Sequence, residues 1–403
     1  MRLLPLLTVA VAASGRLLAD PVLVLPYFNL SKSAELHWVG ESLGEAIRES
    51  LAARGVLVLG HDERKEAFTR LSIRPGAVLT RASIVKLGSA VDASHVVYGQ
   101  YEIAGLEAAP AGKSTLRITA RIVDLHATRQ SPPFDELGAL EDLATLQTHL
   151  AWQMVRYFAG GRAPSEEEFR NAYPPLRLDA IESYIRGLMA DAPDQKQRFF
   201  AQAARLEPRF SLPAFQLGRL YATRKEYRYA IDWLERVQRT DSGYLEGQFL
   251  LGLSRYYTGD YARAEAAFRL VADSVPLNEV WNNLGAAQSR RNTPEAAASF
   301  AKALEGDSAD PDYHFNLGYT LWKRGQFDRA ADSFRTALDR KPDDVEATLM
   351  LGRCLKKSGP RPGDPRSDGL ERVKLNYEES AYRQLRVALQ PKGNGLSLPT
   401  PAR

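Results

Sequence analysis

The chain has 403 residues, 44% of them hydrophobic and 25% charged, the proportions of an ordinary folded protein rather than a disordered or collagen-like one. A formal net charge of +4 is small for this length and argues against broad nucleic-acid binding, which needs a concentrated basic patch. With one cysteine, Cys354, neither an intramolecular disulfide nor a two-cysteine zinc or redox motif can form.

Arg2 precedes an apolar run over 3–13, followed by Ser14, Gly15 and a Leu-Leu-Ala ending at Ala19. A short positive region, a short apolar core and small residues describe a secretory signal peptide, 1–19, cleaved after Ala19. The apolar core is too short to span a bilayer. The expectation is an exported protein of the periplasm or cell envelope, with no membrane-spanning segment after cleavage.

Residues 20–160 alternate strand and helix signals. The apolar runs 22–25 and 56–59 suit buried strands. Between them, 36–53 carries Val39, Leu43, Ile47 and Leu51 on one helical stripe. Helical patterns follow at 63–71 and 79–91, strands at 95–103 and 116–125, and a last helix at 140–158. In the fourth strand Ile118, Ala120 and Ile122 alternate with Arg117, Thr119 and Arg121. This order predicts a small α/β domain with a largely parallel sheet, its third and fourth strands forming an antiparallel hairpin.

The stretches LPYFNLSKSAELHWVGESLGEAI, ASHVVYGQYEIAG and LRITARIVDLHA resemble the TolB amino-terminal-like domain and the similar flagellar FlgO domain. The resemblance covers roughly 21–158. This chain has Lys32-Ser33 where that family has an acidic or Gly-Asp turn. The resemblance implies a domain without assigned catalysis. Ala111-Gly112-Lys113-Ser114-Thr115 imitates the end of a phosphate-binding loop, but Glu107 stands where its first glycine belongs. That loop must also lead into a helix, and here a strand follows. Asn29, Gly60, His61 and Asp62 fall where the parallel strands end, a place where small ligands bind; each also reads as an ordinary cap or turn residue.

From 177 the pattern changes. Leu217-Gly218, Leu251-Gly252, Leu284-Gly285, Leu317-Gly318 and Leu351-Gly352 place glycines 34, 33, 33 and 34 residues apart. Ala230, Ala264, Ala296 and Ala330 follow eleven or twelve residues after the glycine, and Leu234, Phe268, Phe300 and Phe334 four further on. The period and positions resemble tetratricopeptide repeats over about 211–357, after a degenerate unit marked by Gly187, Phe200, Ala203 and Pro208. Units are expected near 177–210, 211–244, 245–277, 278–310, 311–344 and 345–390. In the last, Ala381, Leu385 and Ala388 carry the second-helix pattern 17 residues late. That spacing implies a Pro-, Gly- and Arg-rich insertion at 358–374, read as an exposed mobile loop. A helix at 375–389 is expected to cap the array, and 391–403 to be a disordered tail. The fold class is thus α+β with two domains: a small α/β sheet domain followed by an all-α superhelix.

Stacked hairpins form a superhelix with a concave face lined by first helices. Positions three before, one after and four after each glycine face that groove. Phe215, Phe249, Tyr256, Asn282, Phe315, Tyr319, Trp322, Arg353 and Lys356 are the candidate peptide-binding residues. Large aromatics there suit either anchoring or packing against the next unit, and Arg353 and Lys356 suit an acidic segment or a free carboxylate. Asn283 and Asn316, just before Leu-Gly, are placed to hydrogen-bond either a bound backbone or groups within their own helix. The six histidines show no metal spacing and no G-x-S-x-G occurs, so no catalytic residue, cofactor or metal is expected. The leading expectation is a non-enzymatic adaptor or scaffold that binds a protein or peptide in its concave groove. A small-ligand sensor in the α/β domain, with the repeats relaying to a partner, is the alternative. A nucleotide-hydrolysing enzyme comes third.

Overall fold

The computed structural model describes residues 20–31, 33–74, 76–105, 114–361, 364 and 367–389. The expected signal peptide at 1–19, the turn residue Lys32, the loop lysine Lys113, the tail 391–403 and part of the insertion 358–374 lie outside the described residues.

The first domain is built on a six-stranded sheet: β1 Val22–Val24, β2 Phe28–Asn29, β3 His95–Ala104, β4 Thr115–Asp124, β5 Arg129–Gln130 and β6 Phe134–Ala139. Strands β1 and β2 both pair parallel with β3. Strand β3 pairs antiparallel with β4, and β4 with β5 and β6. The sheet is therefore mixed, not largely parallel. The expected strand at 56–59 is reduced to one bridge, Val58 to Val22, because that segment runs half-buried along the sheet edge with only two backbone bonds to Val22.

Helix α1, His37–Ala52, turns its stripe of Val39, Leu43, Ile47 and Leu51 fully into the core. Strand β4 buries Leu116, Ile118, Ala120 and Ile122 on one face, the alternation that a sheet covered on one side requires. Helices α2 His61–Arg70 and α3 Arg81–Ala90 flank the sheet; α4 Leu143–Ala159 packs on α1, and α5 Glu166–Ala172 leads out.

The rest is helical hairpins: α6 Leu178–Met189 with α7 Pro193–Leu206, α8 Leu212–Thr223 with α9 Tyr227–Leu234, and α10 Tyr244–Tyr257 with α11 Tyr261–Ser274. Two more follow, α12 Asn278–Arg290 with α13 Ala296–Gly306 and α14 Pro311–Lys323 with α15 Phe327–Arg340; α16 Val345–Leu355 comes next. The recurring glycine marks a close helix crossing. A Cβ on Gly285 would stand 2.8 Å from the Phe300 ring, and one on Gly318 would stand 3.2 Å from that of Phe334. Gly259 and Gly325 take positive φ at hairpin turns, the left-handed geometry glycine adopts without steric cost.

The sixth unit departs from expectation. Its second helix, α17 Glu379–Ala388, does not pair with α16 and does not cap the array. Ala381, Tyr382 and Leu385 instead join the apolar cluster built by α10 to α13. A Cβ on Gly352 would meet nothing within 4 Å, as expected where no second helix crosses. Segment 367–377 between these helices has no helix or strand, yet Ser367 and Glu371 are buried. This part of the insertion is a strap laid along the groove, not an exposed loop, because the array offers it both main-chain and side-chain partners.

Candidate functional site

The concave face of α12, α14 and α16 is occupied by the strap. Asn283 and Asn316 hold equivalent positions, two before the repeat glycine, on successive first helices, and Asn316 also donates to Asn282 beside Asn283. The side-chain amides of Asn282 and Asn316 both donate to the Arg372 carbonyl at 2.8 Å, and the Arg372 N–H donates back to Asn316 Oδ1 at 2.8 Å. Asn283 repeats the exchange with Lys374, donating to its carbonyl and accepting from its N–H at 2.7 Å each. The Tyr319 hydroxyl donates to the Ser367 carbonyl at 2.8 Å, and the Trp322 indole N–H to the Ser358 carbonyl at 2.7 Å. These are bonds to the main chain, so they select an extended backbone rather than a side chain.

Side chains of the strap are paired as well. The Arg372 guanidinium lies 3.6 Å above the centre of the Phe315 ring and reaches Asp344 at 2.5 Å, Glu346 at 2.9 Å and Asp312 at 3.1 Å. Lys374 Nζ sits 2.7 Å from both Asp310 and Asp312. Glu371 points the other way: it accepts from the Ser289 hydroxyl at 2.7 Å and faces Lys323 at 3.4 Å and Arg290 at 3.8 Å. The hydrogen bond from Arg372 holds the Asp344 carboxyl below the usual carboxylate range. Burial opposes the charged form of Asp312, but the hydrogen bond and charge of Lys374 outweigh it and lower that carboxyl too. Burial likewise opposes the charge on Lys374, and Asp310 and Asp312 overcome it and raise the amine.

The candidate residues divide. Asn282, Phe315, Tyr319 and Trp322 touch or lie beneath the strap, and Phe249 meets the Tyr377 ring with centroids 5.0 Å apart. Tyr256 instead packs on Tyr257 and Tyr261. Phe215 abuts Gly243 and the apolar cluster of α8 to α10. Arg353 pairs with Asp364 at 3.2 Å and Lys356 is exposed. The expected basic end therefore does not set the character of the occupied groove. Four carboxylates do, Asp310, Asp312, Asp344 and Glu346, none of which the sequence pattern marks as a groove residue. Asp310, Asp312 and Asp344 sit at helix starts, where a cap is the ordinary reading: Asp310 and Asp344 do cap α14 and α16. The usable signal was their clustering at the starts of neighbouring first helices, opposite two cations in the insertion.

Residues 249–314 and 315–359 match the tetratricopeptide repeat family model. The hairpins over 249–359 are tetratricopeptide repeats. The chain is 28% identical over 191 residues to anaphase-promoting complex subunit 6 of Arabidopsis thaliana, covering 46% of this chain and 35% of that protein. It is 29% identical over 150 residues to the cell division cycle protein 27 homolog of Caenorhabditis elegans, covering 36% and 19%. The chain thus spans about a third or less of the length of these relatives. Among solved structures, YrrB, described as a TPR protein with an unusual peptide-binding site, aligns at TM-score 0.39 and 19% identity over 44% of this chain and 92% of that one. MamA from Desulfovibrio magneticus RS-1 aligns at 0.36 and 20%, over 40% and 92%.

A second concavity lies between the sheet domain and the first helical hairpins, a cavity of about 1500 Å³. Asn29, Gly60, His61 and Asp62 line it, as do Phe215 and Arg219. Asn29 accepts from the Ser31 N–H at 2.8 Å and Gly60 N–H donates to Glu63 at 2.9 Å, so both are turn or cap residues here. His61 lies 3.1 Å from buried Glu45, which Arg48 also pairs at 2.8 Å. The lining carries both signs of charge in bonded pairs. Among the described residues no group of three or more His, Cys, Asp or Glu is arranged to hold a metal ion. No helix among them is long and apolar enough to cross a membrane. The loop holding Lys113 is outside the described residues; β4 begins at Thr115 just after it.

Proposed function

We propose that this chain is a non-catalytic interaction scaffold of the cell envelope whose tetratricopeptide groove holds an extended protein segment. The observation that carries the reading is the asparagine ladder of Asn282, Asn283 and Asn316, which grips main chain through both donors and acceptors. Buried amides are costly without partners, so three of them on one concave face make an extended backbone the natural occupant. The signal-peptide pattern at 1–19 supports export. The tagged full chain, recovered from fractionated native cells, is expected in the envelope fraction with its mature start at Asp20, together with a protein partner. That partner is expected to be lost with Asn283→Ala plus Asn316→Ala. A retained Met1 or a cytoplasmic fraction sinks the export reading; an unchanged partner list sinks the groove. These asparagines are as buried as Tyr319 and Trp322, but they are better probes because their bonds run to the strap backbone, whereas Tyr319 and Trp322 belong to the apolar cluster and truncating them would damage the core.

A second reading has one observation in its favour: the cavity of about 1500 Å³ lined by Asn29, Gly60 and His61. It makes the sheet domain a small-ligand sensor. A thermal-shift screen of the full chain tests it, and failure of every compound to raise the melting temperature would count against it.

A further inference from the structure

We propose that the partner segment has the strap's own chemistry, a carboxylate residue followed by Arg, an apolar residue and Lys, and that it binds by displacing 371–374 from the groove. This rests on the concave face being the partner-binding surface. The strap is held as a ligand is held. It forms no helix or strand of its own, and its bonds run to groove side chains. The groove is complete beneath it: Phe315, Tyr319 and Trp322 stack in series with centroids 6.4 and 5.8 Å apart, and Phe315 packs edge-on against Phe334 at 5.4 Å. Displacing 371–374 would open the polar partners and the apolar contact of Val373, while Leu370 and Tyr377 on either side also pack on the array. Asp310, Asp312, Asp344 and Glu346 would remain as an uncompensated acidic site, which selects a cationic occupant over an anionic one.

The connection favours exchange. The strap leaves α16 through a stretch rich in Pro and Gly, S-G-P-R-P-G-D-P, which does not continue a helix. Being tethered, the strap competes at an effective concentration near the millimolar range, so a partner in trans meets a groove that is closed by default. Displacement would also be felt at the other domain. The helix that follows, α17, carries Arg383, which ion-pairs with Glu63 on α2 and with Glu379, and all three line the cavity between domains.

The test uses the full chain and a labelled synthetic peptide of residues 367–378, SDGLERVKLNYE. Reversing the strap with Arg372→Glu plus Lys374→Glu sets like charge against the four carboxylates. Peptide binding is expected at least tenfold tighter than to the wild type. It is expected to vanish when Asn283→Ala and Asn316→Ala are added, or when the peptide itself carries the two Glu replacements. Equal binding by the wild type and the strap-reversed chain overturns displacement, and binding by neither makes the strap a fixed part of the fold. A dimer formed by the strap-reversed chain at the expense of peptide binding overturns the foreign partner in favour of a second copy. Should the reversed chain not fold, hydrogen exchange on the wild type serves instead: excess peptide must speed exchange of the Arg372 and Lys374 amides, and unchanged rates overturn the proposal. The scaffold reading fails separately, since a native partner that survives the asparagine substitutions leaves a scaffold without this groove.

Discussion

Helices α12 and α16 occupy equivalent places in units two repeats apart and differ in what crosses them. Gly285 on α12 lies under the Phe300 ring, where an added Cβ would stand 2.8 Å from ring carbon; Gly352 on α16 faces open space. In one the second helix folds back and closes the hairpin. In the other it is carried away by the strap and docked on the cluster of α10 to α13. A helical hairpin buries its apolar face through its neighbours, so α16 keeps Ala347, Met350 and Cys354 buried against the preceding unit and leaves Leu349 and Leu355 exposed. The same repeat motif is thus a packing device in one place and an unused one in the other.

The comparison breaks most sharply at Gly285. Gly285→Ala should destabilise the array by about 1–3 kcal/mol, the usual cost of overpacking a close crossing. The gain in helix propensity, up to ~1 kcal/mol, offsets only part of it. Denaturant unfolding followed by circular dichroism reads this; an unchanged midpoint would mean that the Phe300 ring moves aside freely.

A smaller effect separates the strap from the hairpins. Asp312 and Asp344 have carboxyls lowered in the folded state, the first by Lys374 and the second by Arg372. A lowered carboxyl contributes stability that is present above its unfolded value, about 3.9, and lost as pH falls through the folded value. Acid below about pH 4 should therefore loosen the strap before the hairpins respond, since their crossings are apolar. Amide protection at Arg372 and Lys374, corrected for intrinsic rates, should fall while protection in α13 and α15 holds. Asp344→Asn should reduce the strap's pH response, and parallel loss in both regions would refute the distinction.

What was legible in the sequence follows the same division. Repeat period, glycine positions and crossing aromatics are local and periodic, so Gly218, Gly252, Gly285 and Gly318 marked the hairpins directly. Asn283 and Asn316 stood out as well, as groups able to bond either a foreign backbone or their own helix, and the structure gives them the strap backbone. The occupant was not. A strap with no secondary structure has no periodicity, and SGPRPGDPRSDGLERVK reads as a mobile loop because its partners lie up to about ninety positions away in the chain, as in the Lys374–Asn283 pair. Nor does local pattern show that the helix at 379–388 leaves α16, since its apolar spacing suits a partner on either side. In the sheet domain the β3–β4 hairpin was visible from Val-rich alternation, whereas β5 and β6, two and six residues long, lacked the apolar run that would have marked the sheet as mixed.

Gly352 gives the gentlest and most discriminating measurement. An alanine there meets no atom within 4 Å, and glycine inside a helix is less favourable than alanine by up to ~1 kcal/mol. Gly352→Ala should therefore leave the array unchanged or stabilise it by about 0.5 kcal/mol, opposite in sign to Gly285→Ala. The two substitutions are chemically identical and sit at the same repeat position, so propensity cancels between them and only the crossing helix differs. A loss of stability at Gly352 comparable to that at Gly285 would place a second helix over α16 in solution. The strap would then have left the groove, with α17 drawn from the α10–α13 cluster back to its own unit.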